Sequence, residues 1–253
     1  MNMNEPSLSL SRAPIVEAVL DIDCDMPLAM EVAALENQAR DLYRDQYPKF
    51  KTQFIQEHQI KQEGTAPPDF SVRHRIQAFQ FFQDDEKQLV QLRPQGFSFN
   101  RLAPYSGLDD YLPEIERTWR LFVGLAAPVQ IRAIRLRYIN RILLPMTAGR
   151  IELDDYLRFG PRVPDEVKLT LDGFLHQHSA VEASTGNRVN IVLTAQPKEN
   201  DNLPVILDIE VFRFEDGEPN DWSSIYSRIQ SLRNLKNLIF KNTLTARCLK
   251  LFQ

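Results

Sequence analysis

The sequence predicts an α+β fold made of two tandem repeats, each a strand, a helix, three or four further strands and a second helix. Segments with apolar residues at every second position alternate with segments whose apolar residues recur every three or four positions. The order of these segments is the same in residues 1–127 and 128–253. A Phe-x-Phe triplet also precedes the last long helix of each half, at residues 97–99 and 212–214. We therefore expect two repeats in one integrated unit.

The first half supplies four predicted strands, the last of them in two segments, and two helices. Alternating apolar residues predict the strands, which in chain order cover residues 14–23, 50–60, 71–83, 88–93 and 96–102. The last two segments are treated as one strand broken at residues 94–96. Helical spacing predicts a helix over residues 28–47, between Pro27 and Pro48, and another over residues 108–123.

The second half repeats this order. Strands are predicted, in chain order, over residues 129–144, 167–183, 188–196 and 205–215. A short helix is expected over residues 153–159, and a long helix follows Asp221 as its N-cap through residue 240. Five residues of the long helix are expected to face the core: Ile225, Ile229, Leu232, Leu235 and Ile239. A last helical turn is expected from residue 243.

Each half should bury one face of an antiparallel sheet under its long helix. We expect the two sheets to join edge to edge through the strands at residues 14–23 and 129–144. This topology loosely resembles the saddle of a TATA-binding protein or a helix-grip fold. The resemblance concerns topology and implies no function.

Composition excludes several classes of protein. Of the 253 residues, 43% are hydrophobic and 25% are charged, which argues against a disordered, collagenous or disulfide-rich chain. Only 9 residues are Gly, and the sequence contains no GxGxxG, GxxxxGK[ST], GxSxG or HExxH motif. Dinucleotide redox chemistry and P-loop hydrolysis are therefore disfavoured, and no cofactor is predicted.

The sequence also indicates a compartment. The N-terminus does not resemble a secretory signal, and no apolar run approaches the ~20 residues that a membrane span needs. Cys24 and Cys248 lie in apolar surroundings and form no CxxC motif. We expect two buried, reduced thiols and a cytoplasmic protein.

The strongest local signal is a basic strand with the sequence IRLRYINRI at residues 134–142. Alternation places Arg135, Arg137 and Arg141 on one face. Guanidinium groups pair with carboxylates or phosphates, so the face is either salt-bridged or a surface for an anionic ligand or acidic partner. Arg101 and Tyr105, at the end of another strand, are further candidate contacts for such a ligand.

Glu17 lies in the middle of an apolar strand, where a carboxylate needs a partner. We expect a structural ion pair with Arg135 or Arg137 of the matching strand, which leaves at least one other arginine for an anion or acidic partner. Two alternatives stay open: an acid–base group whose pKa is raised by burial, or a solvent-facing position.

His176 and His178 have the spacing of two ligands on one strand face, but no third ligand is evident, so no metal site is predicted.

Three segments resemble a known family. They are residues 13–19 (APIVEAV), 100–105 (NRLAPY) and 136–142 (LRYINRI), and the closing residues 232–233 and 239–240 are also similar. Together they resemble a sporadically distributed bacterial family of unknown function. The resemblance implies a bacterial cytoplasmic protein of the accessory, defence or mobile-element kind, and it supplies no catalytic residues.

Three functions are compatible with these patterns. The first is a non-catalytic binding or regulatory module, for example of a phage-defence or toxin–antitoxin-like system, with a protein partner or a second copy of this chain. The second is an enzyme or sensor that binds a nucleotide or other phosphorylated ligand through the arginine-lined face. The third, nucleic-acid binding, is weakened by the formal net charge of −4. No membrane association is predicted.

Overall fold

The computed structural model describes residues 10–61, 69–160 and 172–253. Within these residues, nine strands form one sheet. The strands are β1 (Ile15–Asp25), β2 (Lys49–Lys61), β3 (Asp69–Phe82), β4 (Gln88–Arg93), β5 (Gly96–Leu102), β6 (Gln130–Pro145), β7 (Leu175–Val181), β8 (Arg188–Ala195) and β9 (Asn202–Gly217). All neighbouring strands run antiparallel, in the order β2-β3-β4-β5-β1-β6-β9-β8-β7.

Four α-helices accompany the sheet. They are α1 (Glu36–Tyr43), α2 (Leu108–Ala126), α3 (Trp222–Thr243) and α4 (Ala246–Leu249). Short 3-10 turns cover Val32–Leu35, Leu153–Asp155 and Lys250–Phe252. No helix in the described part of the chain is long and apolar enough to cross a membrane. The prediction of a mixed fold with antiparallel strands and long helices is confirmed.

The two halves meet at the centre of the sheet. Strands β1 and β6 pair from Ile15 opposite Asn140 to Asp25 opposite Gln130. This is the junction that the alternating patterns predict, and it makes the sheet continuous across both halves.

One face of the sheet carries the core and the other is open. In β1, Leu20 and Ile22 are buried towards the helices. Trp119 and Phe122 of α2 pack on Phe97 of β5, with ring centroids 5.7 and 5.8 Å apart. Long helices cover only one face, so the opposite face can carry polar residues, as is common for antiparallel sheets.

The third helix begins as predicted, because the Asp221 side chain accepts a hydrogen bond from the backbone N–H of Ser224 at 3.1 Å. Ile229 is fully buried, as expected, whereas Ile239 is only half-buried. The core-facing stripe of α3 is therefore rotated from the predicted one in its second half.

Three predicted elements differ from the observed ones. The helix expected over residues 28–47 consists of a 3-10 turn and the eight-residue α1. The helix expected over residues 153–159 is a single 3-10 turn. Part of the strand expected over residues 167–183 lies outside the described residues, and β7 begins at Leu175.

The break at residues 94–95 is a hairpin between two strands. Gly96, the first residue of β5 after this turn, has φ +146°, and a Cβ atom there would lie 2.0 Å from the carbonyl oxygen of Ile22. Only glycine permits this close approach of β5 to β1.

Candidate functional site

The three arginines of β6 (Arg135, Arg137 and Arg141, called the arginine row) lie on the open face. The residues between them on the strand, Leu136, Tyr138 and Asn140, are buried towards the helices. The predicted alternation is therefore correct.

Every member of the arginine row pairs with a carboxylate of this chain. The partners come from three elements: Asp23 for Arg135 at 3.0 Å, Asp208 for Arg137 at 2.5 Å, and Glu199 for Arg141. The Arg137 pair is bidentate, since its Nε also donates to Asp208 at 3.0 Å. The row is thus neutralised by its own chain, which favours the salt-bridged interpretation of this face.

The predicted ion pair of Glu17 is wrong. The register places Glu17 opposite Ile139 in β6, and the guanidinium of Arg137 turns to Asp208 of β9 instead. Glu17 accepts a hydrogen bond from Asn100 Nδ2 at 2.8 Å. No ion pair of Glu17 occurs among the described residues. The carboxylates that pair with the row come from β1, from β9 and, for Glu199, from the connection between β8 and β9, so none of the three arginines pairs with Glu17.

A ladder of side-chain amides continues from Glu17 across the open face. The Nε2 atom of Gln80 donates to Gln53 at 3.1 Å and to Gln91 at 3.0 Å, and Gln91 donates to Asn100 at 2.9 Å. The ladder therefore joins β2, β3, β4, β5 and β1. Much of the polar surface of the open face is satisfied internally, which leaves less hydrogen-bonding capacity for a ligand.

Arg101 and Tyr105 lie on the opposite side of the sheet from the arginine row. Arg101 is opposite Ala18, whose side chain is buried towards the helices, and its guanidinium carbon is 5.2 Å from the ring centroid of Tyr111. The hydroxyl of Tyr105 is 3.1 Å from that of Tyr138. The expectation that a small ligand would contact Arg137 together with Arg101 or Tyr105 is therefore wrong.

A cavity of about 250 Å³ lies on this helix-covered side, between β6, α3 and the connection from β5 to α2. We call it the α3 cavity. Its principal polar lining residues are Tyr105, Tyr138, Asn140, Arg233, Lys236 and Asn237. No Asp or Glu lines it within the described residues.

The regular elements account for this arrangement. Tyr138 and Asn140 are two residues apart in β6 and so share its helix-facing side. Arg233, Lys236 and Asn237 recur at three- and four-residue spacing and so share one side of α3. Tyr105 comes from the connection just before α2 and reaches Tyr138 across the cavity.

Lys236 is the most unusual residue of the cavity. It is only 9% exposed, and its Nζ lies 3.9 Å from the ring centroid of Tyr138. Burial away from water, reinforced by the positive charge of Arg233, lowers the pKa of Lys236 to about 7. No carboxylate pairs with Lys236 in the described part of the chain. Its main stabilising neighbour is the electron-rich ring of Tyr138.

Arg233, in contrast, has a carboxylate partner. Its Nη1 and Nη2 donate to the two oxygens of Asp109 at 2.6 and 2.8 Å, which ties α3 to the first turn of α2. The hydrogen bond from Arg233 lowers the pKa of Asp109. The pKa values of the neighbouring Tyr105 and Tyr138 hydroxyls shift in the opposite direction, because burial raises both. Both tyrosines are therefore neutral hydrogen-bonding groups at physiological pH.

Sequence reasoning missed Lys236. The buried residues of α3 follow a regular helical period: Ile225, Ile229, Leu232, Lys236, Phe240 and Thr243. The predicted stripe instead followed the apolar residues Leu235 and Ile239. Extending the period from the first three positions would have placed Lys236 on the core-facing side, which is the signal that could have identified it.

Residues 13–19, 100–105 and 136–142 all contribute to the lining of this cavity. Ala13, Tyr105 and Tyr138 each belong to one of the three segments, and Arg233 belongs to a closing one; all four line the cavity. Comparison with family models, curated proteins and solved structures finds no match for this chain.

Other groups with chemical potential lie elsewhere. Cys24 and Cys248 are buried free thiols, as predicted, and burial raises the pKa of each to about 12. Both are therefore protonated and weakly nucleophilic. The rings of His176 and His178 lie 4.3 Å apart. No group of three or more His, Cys, Asp or Glu residues suited to a metal ion occurs in residues 10–61, 69–160 and 172–253.

Proposed function

We propose that this protein binds a small anionic molecule in the α3 cavity. The observation that carries the proposal is Lys236, a buried ammonium group in a cavity without a lining carboxylate. A buried charge is costly unless it is paired. A bound carboxylate or phosphate would supply the missing counter-ion.

The size of the cavity supports a small ligand. Its volume of about 250 Å³ is below the roughly 300–1,000 Å³ of pockets for drug-sized molecules. A carboxylate or phosphate on a short carbon skeleton fits this space better than a whole nucleotide. The hydroxyls of Tyr105 and Tyr138 and the amide of Asn237 would provide the neutral polar contacts.

The proposal keeps the binding role predicted from the sequence and moves it from the arginine row to the cavity. The row, with its three intramolecular ion pairs, is proposed to stabilise the sheet. A regulatory role in a bacterial defence or accessory system rests on the resemblance of the three segments alone, and a protein partner stays a prediction.

Ligand-induced thermal stabilisation and calorimetry test the proposal. Acetate, lactate and inorganic phosphate are titrated into the wild-type protein, Lys236→Met and the control Arg137→Met. Because a ligand that binds only the folded state raises the melting temperature, at least one anion should stabilise the wild type and Arg137→Met but not Lys236→Met. Equal responses in all three proteins, or no response to any anion, would contradict it.

We also propose that the two halves arose by internal duplication. From the centre outwards, the strand order is β1-β5-β4-β3 in one half and β6-β9-β8-β7 in the other. The helices α2 and α3 follow β5 and β9, which are equivalent in this scheme, and β2 is additional. Superposition of residues 14–127 on residues 129–252 tests it: α2 should fall on α3 with the strand order preserved.

A further inference from the structure

We propose that Lys236 captures the carbonyl group of its ligand as an imine, so that the ligand of the α3 cavity is a small oxo acid. The inference rests on the proposed binding of an anion in this cavity, and adds a covalent step and a second functional group to the ligand.

The position of the amine is the first support. Lys236 is buried but lines a cavity large enough for a molecule of a few carbon atoms. Most amines on a protein surface are protonated and hydrated, and so are poor nucleophiles. Lysines that form imines are typically desolvated or lie beside another cation, and Lys236 satisfies both conditions, with Arg233 one helical turn earlier.

The groups around the amine favour its neutral form. Arg233 on α3 repels the ammonium, and its own partner Asp109 on α2 is already engaged by two hydrogen bonds. Tyr138 on β6 and Tyr105 before α2 are uncharged, since burial raises their pKa values. With its pKa lowered to about 7, far more of Lys236 carries a free amine at neutral pH than an ordinary lysine does.

The reaction needs no oxidant or reductant. The lone pair of Nζ forms a bond to the carbonyl carbon, the C=O electron pair moves to oxygen, and that oxygen takes up a proton to give a carbinolamine. The nitrogen then loses a proton, the protonated hydroxyl leaves as water, and the C=N bond forms. The hydroxyl pair of Tyr105 and Tyr138, 3.1 Å apart, is placed in the same cavity to donate and return these protons.

The carboxylate of an oxo acid would face Arg233. A guanidinium has five N–H donors; the bidentate contact with Asp109 uses one on each Nη atom, and Nη1 also donates to Gln230 at 3.4 Å, which leaves donors on Nε and Nη2. Arg233 can therefore hold Asp109 and the ligand at once. The ligand class is thus a carboxylate adjacent to an aldehyde or ketone, rather than a simple fatty acid or a phosphate ester.

Reductive trapping tests the inference. Wild type, Lys236→Met and Lys241→Met are incubated with pyruvate and sodium cyanoborohydride, and adducts are located by intact mass and peptide mapping. Lys241 is an exposed lysine on the same helix and so a matched control. We expect a single adduct at Lys236, formed at least about tenfold faster than at other lysines because more of it is unprotonated, and retained in Lys241→Met.

Adducts spread over exposed lysines without preference for Lys236 would overturn the inference. The wild-type peptide map decides this even if Lys236→Met does not fold. Lactate, which has the carboxylate of pyruvate but no carbonyl, separates the two proposals. Lactate binding without a pyruvate adduct overturns the imine and leaves anion binding standing, whereas an adduct without lactate binding supports the imine and overturns general anion binding.

Discussion

The arginine row and the α3 cavity present cations from the two sides of one sheet, and they differ in how those charges are balanced. On the open face, Arg137 is 48% exposed and donates hydrogen bonds to Asp208 from both Nε and Nη2. In the cavity, Lys236 is 9% exposed and has no carboxylate partner in the described part of the chain. The region with more charges is thus the one whose charges are already balanced by this chain.

The difference teaches that exposure and pairing, rather than the number of charges, identify a site. β6 lies between β1 and β9, and both neighbours supply acidic residues to the open face, Asp23 and Asp208. The helix-covered face is built from apolar residues and offers Lys236 an aromatic ring instead. A paired surface cation is stable as it is, whereas an unpaired buried cation gains from a ligand.

The largest expected effect on stability comes from weakening the packing of α3 against the helix-covered face of the sheet. Ile229 is fully buried between α3 and the sheet. Ile229→Ala should lower the free energy of unfolding by about 2–5 kcal/mol, because it removes buried methyl groups and leaves a cavity. Urea unfolding measures the change. Leu238→Ala, at a position 47% exposed on the same helix, is the control and should stay within about 0.5 kcal/mol of wild type; equal losses would mean that α3 does not dock as described.

The second prediction concerns the pH dependence of stability. The pKa of Lys236 falls from its ordinary value of 10.5 to about 7 on folding. Between these values the unfolded chain holds a proton that the folded chain lacks, so stability rises with pH, by up to ~1.4 kcal/mol per pH unit. Below pH 7 both states are protonated and this contribution is constant.

Unfolding free energies of wild type and Lys236→Met, measured from pH 6 to 9.5, check this prediction. Other groups titrate alike in both proteins, so the difference between the two curves isolates Lys236. As the pH rises above about 7, the free energy of unfolding of the wild type should increase relative to that of Lys236→Met. Parallel curves would show that Lys236 is solvated, and the contrast with the open face would disappear.

A smaller effect is expected from the tyrosine pair. Tyr105→Phe removes a hydroxyl that lies 3.1 Å from Tyr138, and should destabilise the protein by about 1 kcal/mol, the net value of a buried hydrogen bond. It should also weaken the response to anions. Tyr226→Phe, at a position 42% exposed, is the matched control in urea unfolding, and a loss as large as that of Tyr105→Phe would argue against a specific role for the pair.

The smallest effect is expected on the open face. A double-mutant cycle of Arg137→Met and Asp208→Asn should give a coupling of about 0.2–1 kcal/mol, because the guanidinium is partly exposed to water. The coupling should weaken in high salt, and anion binding should be unchanged. If Arg137→Met instead abolished anion binding, the arginine row would be the site and the cavity would not.

The sequence predicted local features, such as the face of a strand or the cap of a helix, more successfully than side-chain contacts between strands. The period of two in residues 134–142 correctly placed Arg135 and Arg137 on one face, and the N-cap role of Asp221 is confirmed. The pairing of Glu17 failed, because alternation states which face a side chain occupies but not which neighbouring strand supplies its partner. Arg101 was grouped with the arginine row because alternation orders the side chains within one strand but does not relate the faces of two different strands.

By itself, the sequence determined the order of strands and helices, the two buried thiols and the polar character of one sheet face, since these follow from short-range periodicity. Only the tertiary structure decided which charged side chains have a partner of opposite charge in the described residues and which do not. Tyr105, Tyr138 and Lys236 are far apart in the chain and meet because β6 pairs at the centre of the sheet and α3 packs across it. The pKa of Lys236 depends on this packing, because desolvation is a property of the folded surroundings and not of the residue.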